Sequence, residues 1–114
     1  MDIQRAESGS VSILRPIGDL DENAVDALRG ALYECVREGR FSIVMNLSQV
    51  RFISYMGLGV LVERLRHIRA SGGDIKLVGI NLYAERLFRM VGVTALFETF
   101  DTEARAVGEF KEAA

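Results

Sequence analysis

The sequence predicts an α/β domain built on a central mixed β-sheet, an opening hairpin followed by parallel strands, with about four helices mainly on one side. Three observations carry this. Short strand-like runs alternate with helical, amphipathic stretches along most of the chain, and right-handed crossovers turn that alternation into a largely parallel sheet. The first two runs flank the turn Ser8-Gly9-Ser10, a hairpin signal. The chain has 114 residues, 49% hydrophobic and 26% charged, enough for one core and too few for two, so residues 1–114 read as a single domain.

The elements follow in order. Ile3 to Ala6 and Val11 to Leu14 form the hairpin strands, and Pro16, which cannot donate to a ladder, marks where the second strand lies at an edge or leaves the sheet. Asp21 is placed to cap a helix whose inner face is Ala24, Leu28, Ala31, Leu32 and Cys35, stopped by Gly39. Phe41 to Leu47 contains Ile43-Val44-Met45, apolar on both sides of the pleat, which suits a central strand covered on both faces. Leu58, Leu61, Val62, Leu65 and Ile68 mark a second helix ended by Gly72-Gly73. Ile75 to Val78 is the next strand. Asn81 caps a third helix with inner face Ala84, Leu87, Phe88 and Val91, closed by Gly92. Leu96 to Phe100 is a last short strand, and a terminal helix starts at Asp101 and runs through Val107 and Phe110.

Composition excludes several function classes. A net charge of −2 argues against a general nucleic-acid binder, which needs a basic surface. One cysteine and one histidine allow no intrachain disulfide and make a structural zinc site improbable, and no other metal or cofactor is implied. The N-terminus Met1-Asp2-Ile3-Gln4-Arg5 has no signal-peptide pattern. The longest near-apolar run, Tyr55 to Val62, is far short of the roughly 20 residues of a membrane span. The expected location is cytoplasmic. No nucleophile–base pair or paired acid/base carboxylates stand out, so the chain is not read as an enzyme.

The informative stretch is Asn46 to Leu61. A strand ends, a short connection follows, and a helix opens around Ser54 to Met56. A helix start favours anions, which makes it the natural regulatory spot. Gly57 and Gly59 are unusual inside a helix, each costing about 1 kcal/mol against alanine. They read as allowing close approach of the sheet or a partner. The spacing fits no phosphate-binding glycine loop, and the lysine of such loops is missing.

These residues carry a resemblance. Leu47, Ser48, Val50, Phe52, Ile53, Gly57, Leu58, Gly59 and Leu61 match the pattern that anti-sigma factor antagonists and related STAS domains show at this place. Gly18-Asp19-Leu20-Asp21, Gly72-Gly73-Asp74, Arg86-Leu87-Phe88 and Gly92 through Phe97 are similar to further blocks of that family, in consistent order. The resemblance implies a STAS fold and a regulatory protein-binding module. Its expected partner is a GHKL-type serine kinase that is also an anti-sigma factor. Contacts are expected through Asp21, Ser54, Tyr55, Met56 and Gly57.

The sequence departs from the family where the family is regulated. The aspartate that precedes the phosphoacceptor serine is replaced by Ser54, the serine itself by Tyr55, and the next residue is Met56. The usual phosphorylation switch is therefore expected to be missing, with Ser54 the only candidate for a shifted phosphoacceptor. Ser54 reads first as a helix N-cap. Tyr55 and Met56 suit either packing or a partner hot spot. Tyr55 is expected to face solvent at the helix start. Cys35 on the apolar stripe reads as a small buried hydrophobe. His67 among Arg64, Arg66 and Arg69 reads as a solvated face. The alternative function is an accessory or scaffold subunit of a transporter or stress-sensing complex. A small-ligand role and a homodimer also stay open.

Overall fold

The computed structural model describes residues 1–110. One sheet has the strand order β1 (Asp2–Ser8), β2 (Val11–Ile17), β3 (Ser42–Asn46), β4 (Asp74–Val78), β5 (Thr99–Phe100). β1 and β2 are antiparallel with Ser8 opposite Val11, and every later pairing is parallel. Helices α1 (Val25–Arg37), α2 (Tyr55–Ala70) and α3 (Leu82–Val91) pack on one face, and α4 (Glu103–Gly108) packs on the other. The expected mixed sheet with helices mainly on one side is what forms.

The alternation of β3 explains the layers. Ile43 and Met45 join Leu14, Ile75 and Leu77 beneath α1 and α2, while Val44 joins Val11, Ile13 and Val78 beneath Ala106 of α4. Successive side chains of a strand point to opposite faces, so an apolar triplet needs a cover on both sides. The short α4 supplies the second cover. Glu103 anchors it, accepting from Arg15 Nε at 2.7 Å and from Asn46 Nδ2 at 2.7 Å.

Four local expectations are corrected. Both hairpin strands are longer than their apolar runs. β2 continues past Pro16 to Ile17 against β1, but its pairing with β3 stops at Leu14, so the proline lies where only one neighbour remains. Asp21 does not cap α1: the helix opens after Ala24 without a side-chain cap, and Asp21 Oδ1 instead accepts from Asn23 N–H at 3.0 Å, closing a turn ahead of it. The last strand is only Thr99–Phe100, because Thr94–Leu96 forms a 3₁₀ turn. Val91 is 45% exposed and not part of the inner face of α3. Gly92 takes φ +82 and reverses the chain there, so that Val93 N–H bonds Phe88 O at 2.9 Å and Val93 takes the buried position. Glycine closes helices this way because it carries no Cβ penalty in the left-handed region.

Candidate functional site

The two connections that leave the sheet at the ends of β2 and β3 lie side by side. Leu20 N–H donates to Phe52 O at 2.8 Å, Leu20 O accepts from Ser54 N–H at 2.9 Å, and Gly18 N–H donates to Gln49 O at 3.1 Å. This short parallel bridge between Leu20 and Ile53 brings the Asp21 turn beside the start of α2. The fold thus joins two stretches that lie more than thirty positions apart in the chain.

Gly57 is where they touch. A Cβ on it would stand 2.3 Å from Leu20 O, so no other residue fits without moving backbone. The expectation of close approach holds for Gly57. It does not hold inside the chain for Gly59, whose Cβ would meet nothing within 4 Å.

Ser54 is the N-cap of α2, its Oγ accepting from Gly57 N–H at 3.0 Å. Short polar side chains serve here because the first turn of a helix leaves its N–H groups without partners. Tyr55 and Met56 begin the helix and point outward, 66% and 52% exposed. No acidic residue lies in that first turn. Asn81 secures the connection from the far side. Its Oδ1 caps α3 at Ala84 N–H, 2.9 Å away, while its Nδ2 donates to Arg51 O at 3.1 Å. The sequence disclosed the cap but not this second bond. Asn46 is also shared, its Oδ1 accepting from Ser48 N–H at 2.9 Å while its Nδ2 reaches Glu103.

The sequence reading missed the residues that widen this surface. Phe52 is half-exposed, and α3 presents Tyr83 at 73% and Met90 at 74% exposure. Phe52, Tyr55, Tyr83, Arg86 and Met90 border one shallow depression. A signal existed: Tyr83 and Met90 are apolar residues off the Ala84–Phe88 stripe of an amphipathic helix. Aromatic residues, Met and Arg are the types enriched at interface centres. Elsewhere, Cys35 is buried, and that burial pushes its thiol above the ordinary value. His67 is exposed, beside Arg64 and Arg69, which pair with Glu63 and Asp74. Among the described residues no group of three His, Cys, Asp or Glu side chains is placed to hold a metal ion. No helix among them is long and apolar enough to cross a membrane.

Comparisons with known proteins agree with this architecture. The model of the STAS domain matches residues 2–106. An anti-sigma F factor antagonist of Paenibacillus polymyxa is 28% identical over 112 residues, covering 97% of this chain and 96% of its own. The crystal structure of a Thermotoga maritima protein provisionally named an anti-sigma factor antagonist superposes with a TM-score of 0.87 at 27% identity, covering 94% of this chain and 92% of that one. A sulfate transporter family protein from Wolinella succinogenes shares the fold at 19% identity and a TM-score of 0.77, covering 90% and 86%.

Proposed function

The chain belongs to the STAS domain family and resembles its anti-sigma factor antagonists, and on that premise we propose that it is a regulatory docking module for a GHKL-type serine kinase that doubles as an anti-sigma factor. The contact is centred on Asp21, Ser54, Tyr55 and Met56, with the buried Gly57 fixing the helix start against Leu20, and extends over Phe52 and the outward side of α3. One observation carries this: a cluster of exposed aromatic and methionine side chains around a rigidly held helix start. A soluble domain gains nothing from exposing such residues together unless something covers them.

The module works without the family's serine switch. In that switch a phosphate adds about 1.5 to 2 negative charges and breaks the contact by repulsion and desolvation. Here the corresponding position is Tyr55, whose hydroxyl lies several ångströms further from the backbone than a serine hydroxyl. In-line phosphoryl transfer depends on positioning, so the phenol misses the place at the γ-phosphate. The neighbouring Ser54 has its Oγ turned into its own helix, onto Gly57 N–H. Binding is then constitutive and set by the abundance of the protein.

The test uses a purified GHKL-type serine kinase of the anti-sigma factor class from the same genome. Binding is measured by calorimetry for the native chain and for Tyr55→Ala and Met56→Ala. Phosphate is mapped by mass spectrometry after incubation with ATP. The expected result is native binding, weakening by about tenfold or more in each variant, and no phosphate. A Tyr55→Ser variant gains phosphate. Binding unchanged by both alanine variants removes this surface as the docking site, and stoichiometric phosphate on Ser54 shows that the switch has moved by one residue. A chain that ignores the kinase and co-purifies with transporter components supports the accessory-subunit reading.

A further inference from the structure

Two positions that break the patterns of their helices meet at one place. Gly59 is a mid-helix glycine that no contact within the protein requires, since a Cβ there meets no atom within 4 Å. Val91 continues the spacing of Ala84, Leu87 and Phe88 in the sequence yet lies outside the inner face of α3, half uncovered. Both line the same cleft between α2 and α3, with a volume of about 380 Å³. That volume lies within the range of small-ligand sites. Leu58 and Val93, both buried, and the half-buried Val62 form its base, and Tyr55 closes one end. Gly59 lines this space with nothing within 4 Å of its Cβ position, so a long side chain there has room to reach into the cleft, and the glycine leaves it open at the expense of helix propensity.

Two charged residues stand at the mouth, Glu63 and Arg66. The carboxylate of Glu63 is already held by Arg64 Nη2 at 2.8 Å. The ion pairs of α2 among the described residues are those of Arg64 with Glu63 and Arg69 with Asp74, which leaves the Arg66 guanidinium without a carboxylate. An apolar cleft with one free guanidinium at its rim matches an apolar body that bears a single negative charge.

We infer that this cleft binds a small amphipathic anion: an aromatic or short acyl body seated between α2 and α3, with its carboxylate, sulfonate or phosphate on Arg66. Ligand binding does not require a docked partner; the regulatory consequence rests on the proposed function, because the cleft and the docking surface share Tyr55 and an occupant would cover one side of that surface.

The experiment needs only the full chain and two dyes. 8-Anilinonaphthalene-1-sulfonate has the expected form, and N-phenyl-1-naphthylamine has the same rings without the charge. Fluorescence titration is expected to show saturable one-site binding, tighter for the sulfonate by about five- to tenfold. Decanoate displaces the sulfonate dye. Arg66→Gln removes the preference and leaves the uncharged dye unaffected, and Gly59→Leu abolishes binding of both. Val62→Phe fills the cleft from its base, one turn further along α2, and must act the same way. Circular dichroism establishes that each variant is folded. Unsaturable binding, equal affinity for the two dyes, or dye binding that survives both filling variants overturns the inference. If neither dye binds but Gly59→Leu prevents capture of the kinase, the cleft receives a partner side chain and the ligand reading fails.

Discussion

Replacing Gly57 by alanine tests the contact that joins the two connections of the candidate site, with Gly59→Ala as an internal control on the same helix. Both substitutions gain the helix propensity that glycine lacks, about 0.5–1 kcal/mol. At position 59 nothing opposes that gain, because the new methyl meets no atom within 4 Å. At position 57 the methyl would stand 2.3 Å from Leu20 O and 3.1 Å from Leu20 C, so the backbones must part by about an ångström or more to reach ordinary contact. Leu20 cannot yield alone. It is tied to Phe52 O at 2.8 Å and to Ser54 N at 2.9 Å, and each lengthened bond loses about 1 kcal/mol net. Overpacking typically costs about 1–3 kcal/mol and the lengthened bonds add about 1–2 kcal/mol, so net of the propensity gain Gly57→Ala is expected to destabilise by about 1–4 kcal/mol. Gly59→Ala is expected to stabilise by about 0.5–1 kcal/mol. With urea m-values of about 1–3 kcal/mol per molar, the two unfolding midpoints should fall on opposite sides of the native one. The reasoning is refuted if Gly57→Ala raises the midpoint as Gly59→Ala does.

Three further outcomes follow from single side chains. Ser54→Ala removes the α2 cap and should cost about 1 kcal/mol in thermal unfolding, whereas Ser54→Asp retains an acceptor and should recover most of it; equal losses would show that the Oγ–Gly57 bond does not support the helix. Asn81→Ala removes both a cap and the tie to Arg51 O, so it should cost about 2 kcal/mol and speed amide exchange at Val50 to Ser54; unchanged exchange there would deny the tie. Glu103 is held by Arg15, and secondarily by Asn46, at a pKa of about 2, below its ordinary 4.5. Its contribution is thus complete above pH 4.5 and lost as the pH falls toward 2. Glu103→Gln should cost about 1 kcal/mol at pH 7, with the difference from the native chain vanishing near pH 2 in urea titrations; a difference that persists at that pH would contradict the assignment.

The sequence by itself determined what depends on local periodicity. The order of strands and helices, the apolar faces of α1 and α2, the caps at Ser54 and Asn81 and the doubly covered β3 all follow from neighbours a few residues apart, and the family resemblance rests on the same short blocks. Boundaries failed where an element is prolonged or cut short by a partner remote in sequence. β1 lengthens because β2 lies beside it along its whole length. α1 waits until Ala24 because Leu20 is bonded to the other connection. Val91 lost its inner place to Val93 because a left-handed Gly92 re-aimed the chain. The site itself shows the same division. Tyr55 and Met56 at a helix start could be read from the chain, with Tyr55 tipped outward only by the resemblance. Their company with Phe52, Tyr83 and Met90, and the reason for Gly57, could not, because side chains from separate elements become one surface only after the sheet sets the distance between the helices it carries.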